Sequence, residues 1–94
     1  VTYRLCYDRL VRGQLRALPG DVRSVALKQL DALLRESRPP QAKELDDYPS
    51  HYRIWLPRNH RLVYQVLEDE QVIDLLYVGP KVSGFYAKLG LGRN

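Results

Sequence analysis

Halfway along the chain the hydrophobic period changes, from the three-to-four spacing of helices to the alternation of strands. From His51 onward three runs, His51–Leu56, Arg61–Leu67 and Gln71–Val78, are rich in β-branched and aromatic residues. They are separated only by Pro57–His60 and Glu68–Glu70, connections short enough for hairpins, so the three runs form an antiparallel meander. Before them, Val22, Ala26, Leu30 and Leu33 make one apolar stripe flanked by Val25 and Leu34, while Arg23, Lys28, Asp31 and Arg35 face outward. This spacing predicts a helix over Val22–Glu36, capped by Asp21, whose stripe must cover a sheet. Asp8 caps a shorter helix that runs to about Leu18, with Val11, Leu15 and Leu18 inward and Pro19-Gly20 as its stop. Val1–Tyr7 alternates and makes a first strand, and Gln41–Ser50, after Pro39-Pro40, reads as a connecting loop.

These elements define an α+β fold in which two N-terminal helices pack on a mainly antiparallel four-stranded sheet in the order β-α-α-β-β-β. Gly79-Pro80 ends the sheet and leaves a tail with a turn of helix around Phe85–Leu89. A chain of 94 residues has too little surface to bury for a second core, so residues 1–94 are expected to form a single domain.

Fifteen Lys and Arg against eleven Asp and Glu give a net charge of +4, and arginine supplies most of it. A guanidinium forks onto phosphate oxygens and stacks on bases, which suits a nucleic-acid partner as well as it suits a solvated surface. No apolar run approaches the roughly 20 residues a spanning helix needs. The N-terminus lacks the charged and apolar regions of a signal peptide. A cytoplasmic protein with no membrane partner is expected. Cys6 is the only cysteine, so no intramolecular disulfide can form, and no His and Cys set has metal-ligand spacing. Neither a metal nor another cofactor is expected, and no glycine-rich phosphate loop or nucleophile elbow is present.

Alternation sorts the strand side chains into two faces, since residues two apart share a face and lie about 7 Å apart. Tyr52, Ile54 and Leu56 point one way, with Leu62, Tyr64 and Val66 as core partners. The other face carries His51, Arg53 and Trp55 beside Arg61, Val63 and Gln65. An open sheet face is normally polar. An exposed indole there is costly unless a stacked base or a partner protein covers it. His60 falls on the face opposite Arg61, so a two-histidine site with His51 requires an irregular turn. Asp74, acidic within a hydrophobic strand, is expected to pair with a basic or tyrosyl neighbour at the sheet edge.

The stretch YRIWLPRNHRLVYQVLEDEQVIDLLYVGPKVSGFY, residues 52 to 86, resembles the C-terminal half of RelE-type toxins of the RelE/ParE superfamily. Shared features are Tyr-basic-aliphatic, a hairpin, Arg-Leu-Val-Tyr, an acidic turn, a hydrophobic strand ending Val-Gly, then a basic residue and a tyrosine. Over residues 1 to 50 the likeness rests on element order and on Lys43-Glu44-Leu45 ahead of the sheet.

The resemblance implies a ribosome-dependent mRNA endonuclease that drives the 2′-hydroxyl onto the adjacent phosphate without a metal and so inhibits translation. Its implied partners are a cognate antitoxin, the ribosome with its mRNA, and operator DNA only through the antitoxin complex. Arg53 falls at a family lysine position, Arg61 at a family arginine, Lys81 at a basic position and Tyr86 at the tyrosine that stacks on a base. These four are the catalytic set so implied, with His51, Trp55, Arg58, Lys43 and Phe85 as RNA-binding residues. Trp55 departs from the pattern, standing where better-known members have a second lysine that serves as general base. Indole cannot accept that proton, whereas the His51 imidazole, of a type that changes charge near neutral pH, can. The tail from Gly79 to Tyr86 is one residue short of the family pattern, which leaves Phe85 as the alternative stacking residue. ParE-type toxins of the same superfamily bind and inhibit DNA gyrase without cutting RNA, and they give the alternative function. An inert relic that binds only its antitoxin and DNA is the third.

Overall fold

The structure, a computed structural model, describes residues 2–81. The expected helix around Phe85–Leu89 and the site residues Tyr86 and Phe85 lie outside the described residues.

The chain runs β1 (Arg4–Cys6), α1 (Arg9–Ala17), α2 (Gly20–Leu33), β2 (Lys43–Glu44), β3 (His51–Leu56), β4 (His60–Leu67) and β5 (Val72–Pro80). The sheet is five-stranded in the order β1-β5-β4-β3-β2, with β1 parallel to β5 and the other pairs antiparallel. The α+β architecture is as expected, and the expected meander is β3-β4-β5. The extra strand is β2, which pairs Lys43 with Arg53 and Glu44 with Tyr52 inside what reads as a loop. Two residues are too few to show a period, so backbone pairing alone reveals them.

Local chemistry explains the element ends. Asp8 caps α1, its carboxylate accepting from the Val11 amide at 2.9 Å. Asp21 does not cap α2. That position belongs to Pro19, which makes no side-chain cap bond, and Asp21 sits in the first turn, where its charge opposes the positive helix end. The second helix stops at Leu33 rather than Glu36, where Arg35 and Glu36 donate back to the Ala32 carbonyl in a closing turn. The β3–β4 hairpin turns through Arg58 and Asn59, both at φ of 60°. Type I′ turns have such positive φ at both central residues, and their twist matches that of the flanking strands.

The main core lies between the helices and one sheet face. Val22, Ala26, Leu30 and Leu33 of the predicted stripe are buried against Tyr52, Ile54, Leu56, Leu62, Tyr64 and Val66. Tyr64 is fully buried, and its hydroxyl donates to the Ser37 carbonyl at 2.8 Å, which satisfies the polar tip inside the core. Tyr52 stacks on it with ring centroids 5.6 Å apart. Arg38 donates to the Tyr52 hydroxyl at 2.7 Å and pairs with Glu68 at 3.1 Å, and Tyr3 donates to Glu68 at 3.0 Å. That chain of contacts ties β1, the loop after α2, β3 and the β4–β5 turn together.

A second, smaller cluster sits on the opposite sheet face, made of Leu45, Val63 and Tyr77 with Tyr48 and Leu76 packed against it. The segment after β2 therefore folds over half of the face that alternation leaves open. Tyr77 reaches that face through an irregularity in the β4–β5 register between Val63 and Tyr64: Tyr64 pairs with Leu75 and Val63 with Tyr77, so Leu76 is the extra residue of a bulge.

Candidate RNA-binding face

The half of the open face that the small cluster leaves clear carries the predicted cations. Arg53 and Trp55 are two residues apart on β3, and the register sets Lys43 beside Arg53 and Arg61 beside Trp55. Cα partners in a ladder share a face, so Lys43, Arg53, Trp55 and Arg61 come together as one patch. His51 shares the face one row further along, beside Gln65.

Arg61 is the least expected member in its environment. Only 4% of it is exposed, and its guanidinium carbon lies 3.9 Å from the centroid of the Trp55 ring. That is van der Waals stacking distance, so the indole covers the cation. Arg53 lies 5.0 Å from the same ring, while Trp55 itself stays 50% exposed. The arrangement is a cation-π stack on a sheet, with a buried guanidinium beneath and half an indole outside. Gly79 is the β5 partner of Arg61. A β-carbon on Gly79 would lie 2.9 Å from the Tyr77 hydroxyl oxygen and 3.2 Å from Cζ. The Tyr77 hydroxyl donates to the Pro80 carbonyl at 2.6 Å. Burial pushes this phenol above the ordinary tyrosine range, and the Arg61 charge opposes the shift.

Lys81 follows directly. It is exposed, and its amide donates to the Asn59 carbonyl at 3.1 Å, which holds the end of β5 against the β3–β4 hairpin. Arg58, in that hairpin, pairs with Asp21 of α2 at 2.9 Å and so leans toward the helical layer. The His51 Nδ1 lies 2.9 Å from the Pro49 carbonyl. A carbonyl only accepts, so Nδ1 carries the proton, and the lone pair of the neutral ring sits on Nε2. The same reasoning puts the His60 proton on Nδ1, facing the Pro57 and Arg58 carbonyls. His60 borders a cleft with Gln14, Ala17 and Leu18 of the helical side, away from Arg53.

Asp74 differs from expectation. It lies on β5, an interior strand, between Cys6 and Gln65. Among the described residues it forms no ion pair. Burial raises its carboxyl above the ordinary aspartate range, with Asp8 adding to the shift and His51 opposing it. It lines a groove of about 450 Å³ with Cys6, Tyr7, Asp8 and Leu10. Tyr77, Gly79 and the Leu45–Tyr48 cover escape a reading by period. The signal that points to them is Val78-Gly79 at the strand end, since glycine within a strand marks a close approach. Among the described residues no group of three or more His, Cys, Asp or Glu could hold a metal ion, and no helix is long and apolar enough to cross a membrane.

No protein-family profile matches the sequence, and no curated protein matches it. Solved structures do. An isolated E. coli RelE toxin is 32% identical, with 92% of this chain and 93% of that chain covered and a TM-score of 0.75. A mutant of the E. coli toxin in the free state is 29% identical over 96% of each chain, with a TM-score of 0.81. A chain of the intact E. coli RelBE toxin–antitoxin complex is 31% identical, with 85% of this chain and 98% of that one covered and a TM-score of 0.76. A two-layer α+β domain with this topology and this identity defines a RelE-type protein. The chain belongs to the RelE toxin family.

Proposed function

We propose that this chain is the toxin of a type II toxin–antitoxin pair and that it cuts messenger RNA on the ribosome, with an antitoxin as its protein partner. The observation that carries this reading is the patch of Lys43, Arg53 and Arg61 around an exposed indole, with Lys81 following from β5. In the reaction the ribose 2′-oxygen attacks the adjacent phosphorus. The new P–O2′ bond forms as the P–O5′ bond breaks, leaving a 2′,3′-cyclic phosphate and a 5′-hydroxyl. The pentacoordinate phosphorane carries more negative charge than the diester, so fixed cations stabilise it selectively. Arg53 and Arg61 supply that charge, and the low-dielectric setting of Arg61 strengthens its field. Lys81 gives a proton to the departing 5′-oxygen, which leaves as the 5′-hydroxyl, and Tyr86, in the family's stacking position, holds the substrate base. The described part of the face has one imidazole, His51, and its Nε2 lone pair is the acceptor we assign to the 2′-hydroxyl proton. Arg58, Lys43 and Phe85 belong to the RNA-binding set in this reading, Arg58 once its pair with Asp21 opens.

The test is a cell-free translation reaction with the message ends mapped and gyrase supercoiling assayed in parallel. Cleavage within translated message supports the reading. Inhibited supercoiling with intact message would transfer the chain to the gyrase-binding alternative. In the same assay His51→Gln should lower the cleavage rate by on the order of a hundredfold while leaving RNA binding intact, and an unchanged rate would take His51 out of the acid–base role.

A further inference from the structure

We propose that Trp55 is a base-stacking platform, on which an unpaired base of single-stranded RNA lies against the outward side of the indole while Arg53 and Lys43 hold the adjoining phosphate. The inference rests on the RNA-cleaving reading above and names how that site grips its substrate.

Trp55 belongs to neither hydrophobic cluster and keeps half its surface in solvent, so core packing does not account for it. The side chain is nonetheless held. Arg61, almost wholly buried, lies 3.9 Å from the ring centroid and Arg53 lies 5.0 Å away. A ring fixed before binding loses little rotamer freedom when a ligand covers it. Adjacent positive charge also favours an electron-rich aromatic partner over a second cation, and every base offers a π-face.

The surroundings set the direction of the strand. Arg53 lies two residues along β3 from Trp55, about 7 Å, a reach of the order of one nucleotide. Lys43 stands beside Arg53 on β2. On the β4 and β5 side of that row Val63 and Tyr77 are buried under Leu45, which leaves the β2–β3 side for a phosphate. Arg61, shut beneath the indole, is then a positioning residue for the platform as well as a source of field.

Trp55 is the only tryptophan in the chain, so intrinsic emission reports on it alone. The purified protein is titrated, without ribosomes, with a short oligoadenylate and with an abasic ribose-phosphate oligomer of equal length and charge. We expect saturable quenching by the oligoadenylate and binding of the abasic oligomer weaker by about fivefold or more, the low end of a stacking contribution. Binding of end-labelled oligoadenylate followed by anisotropy should stay within about threefold for Trp55→Phe and weaken about tenfold for Trp55→Leu, with far-UV circular dichroism unchanged in both. Equal affinity for the abasic oligomer, or undiminished binding by Trp55→Leu, would overturn the proposal, since charge alone would then explain the grip. Emission unmoved by RNA would overturn it too and would leave the indole to a protein surface. Because no ribosome is present, loss of stacking is distinguishable from failure of the cleavage reading.

Discussion

Gly79 stands across from Arg61 because the Tyr77 ring leaves no space for a β-carbon there. A Gly79→Ala substitution should destabilise the fold by about 1–3 kcal/mol through overpacking. Part of that should return in Gly79→Ala with Tyr77→Phe, because the closest contact is to the hydroxyl; urea unfolding of the four proteins in a double-mutant cycle measures it, and strict additivity would show that the contact is not shared. Arg61→Ala should lower the steady-state fluorescence anisotropy of Trp55 by releasing the indole, and unchanged anisotropy would mean that Arg61 does not hold the ring. In cleavage the same substitution should cost on the order of a hundredfold in rate. Alternation along β3 and β4 was enough to group His51, Arg53, Trp55 and Arg61 on one face. It could not show depth: a period assigns a side chain to a face, whereas the burial of Arg61 follows from a tryptophan lying over it. Tyr77 escaped for a related reason, since one extra residue at Leu76 reverses the parity of β5 and no composition cue marks the bulge.

At the scale of elements, caps and turns decide what was legible. The stripe of α2 and the cap of α1 are dictated by spacing and by a short acceptor side chain ahead of it. Asp8→Ala should therefore cost about 1 kcal/mol in thermal or urea unfolding, the usual worth of such a cap. β2 and the cover over Val63 depend on long-range pairing that two residues cannot announce. The tie of Arg38, Tyr3 and Glu68 gives a pH signature. Its Arg38 partner, then Tyr3, holds the Glu68 carboxyl below its ordinary range. A depressed folded-state value means stability that is fully present above the unfolded value and lost as pH falls through the folded one. The melting temperature should thus drop on acidification below about pH 4.5, and Glu68→Gln should flatten that part of the profile. An identical acid limb in Glu68→Gln would remove the tie from the account.

At the scale of the whole molecule, the proposed reading divides packing from RNA contact largely by sheet face. One face is sealed by the helices into the main core, and the other divides between a small apolar cluster and the basic, aromatic patch. Asp8 is accordingly expected to move unfolding curves and Arg53 and Trp55 to move the proposed RNA binding, while Gly79, beside Arg61 on the patch side, sits where the two meet. The charge of the patch also implies that RNA affinity falls steeply with added salt. The central claim, cleavage of message by side chains of this face, is tested most directly by mapping message ends in a translating cell-free reaction containing the purified chain and a chelator of transition metals that leaves the magnesium of the ribosome in place. The expected result is cleavage within translated codons, ends bearing a 2′,3′-cyclic phosphate, and loss of both in Arg53→Ala with Arg61→Ala. Intact message with the wild-type chain, or cuts that persist in the double variant, would contradict it.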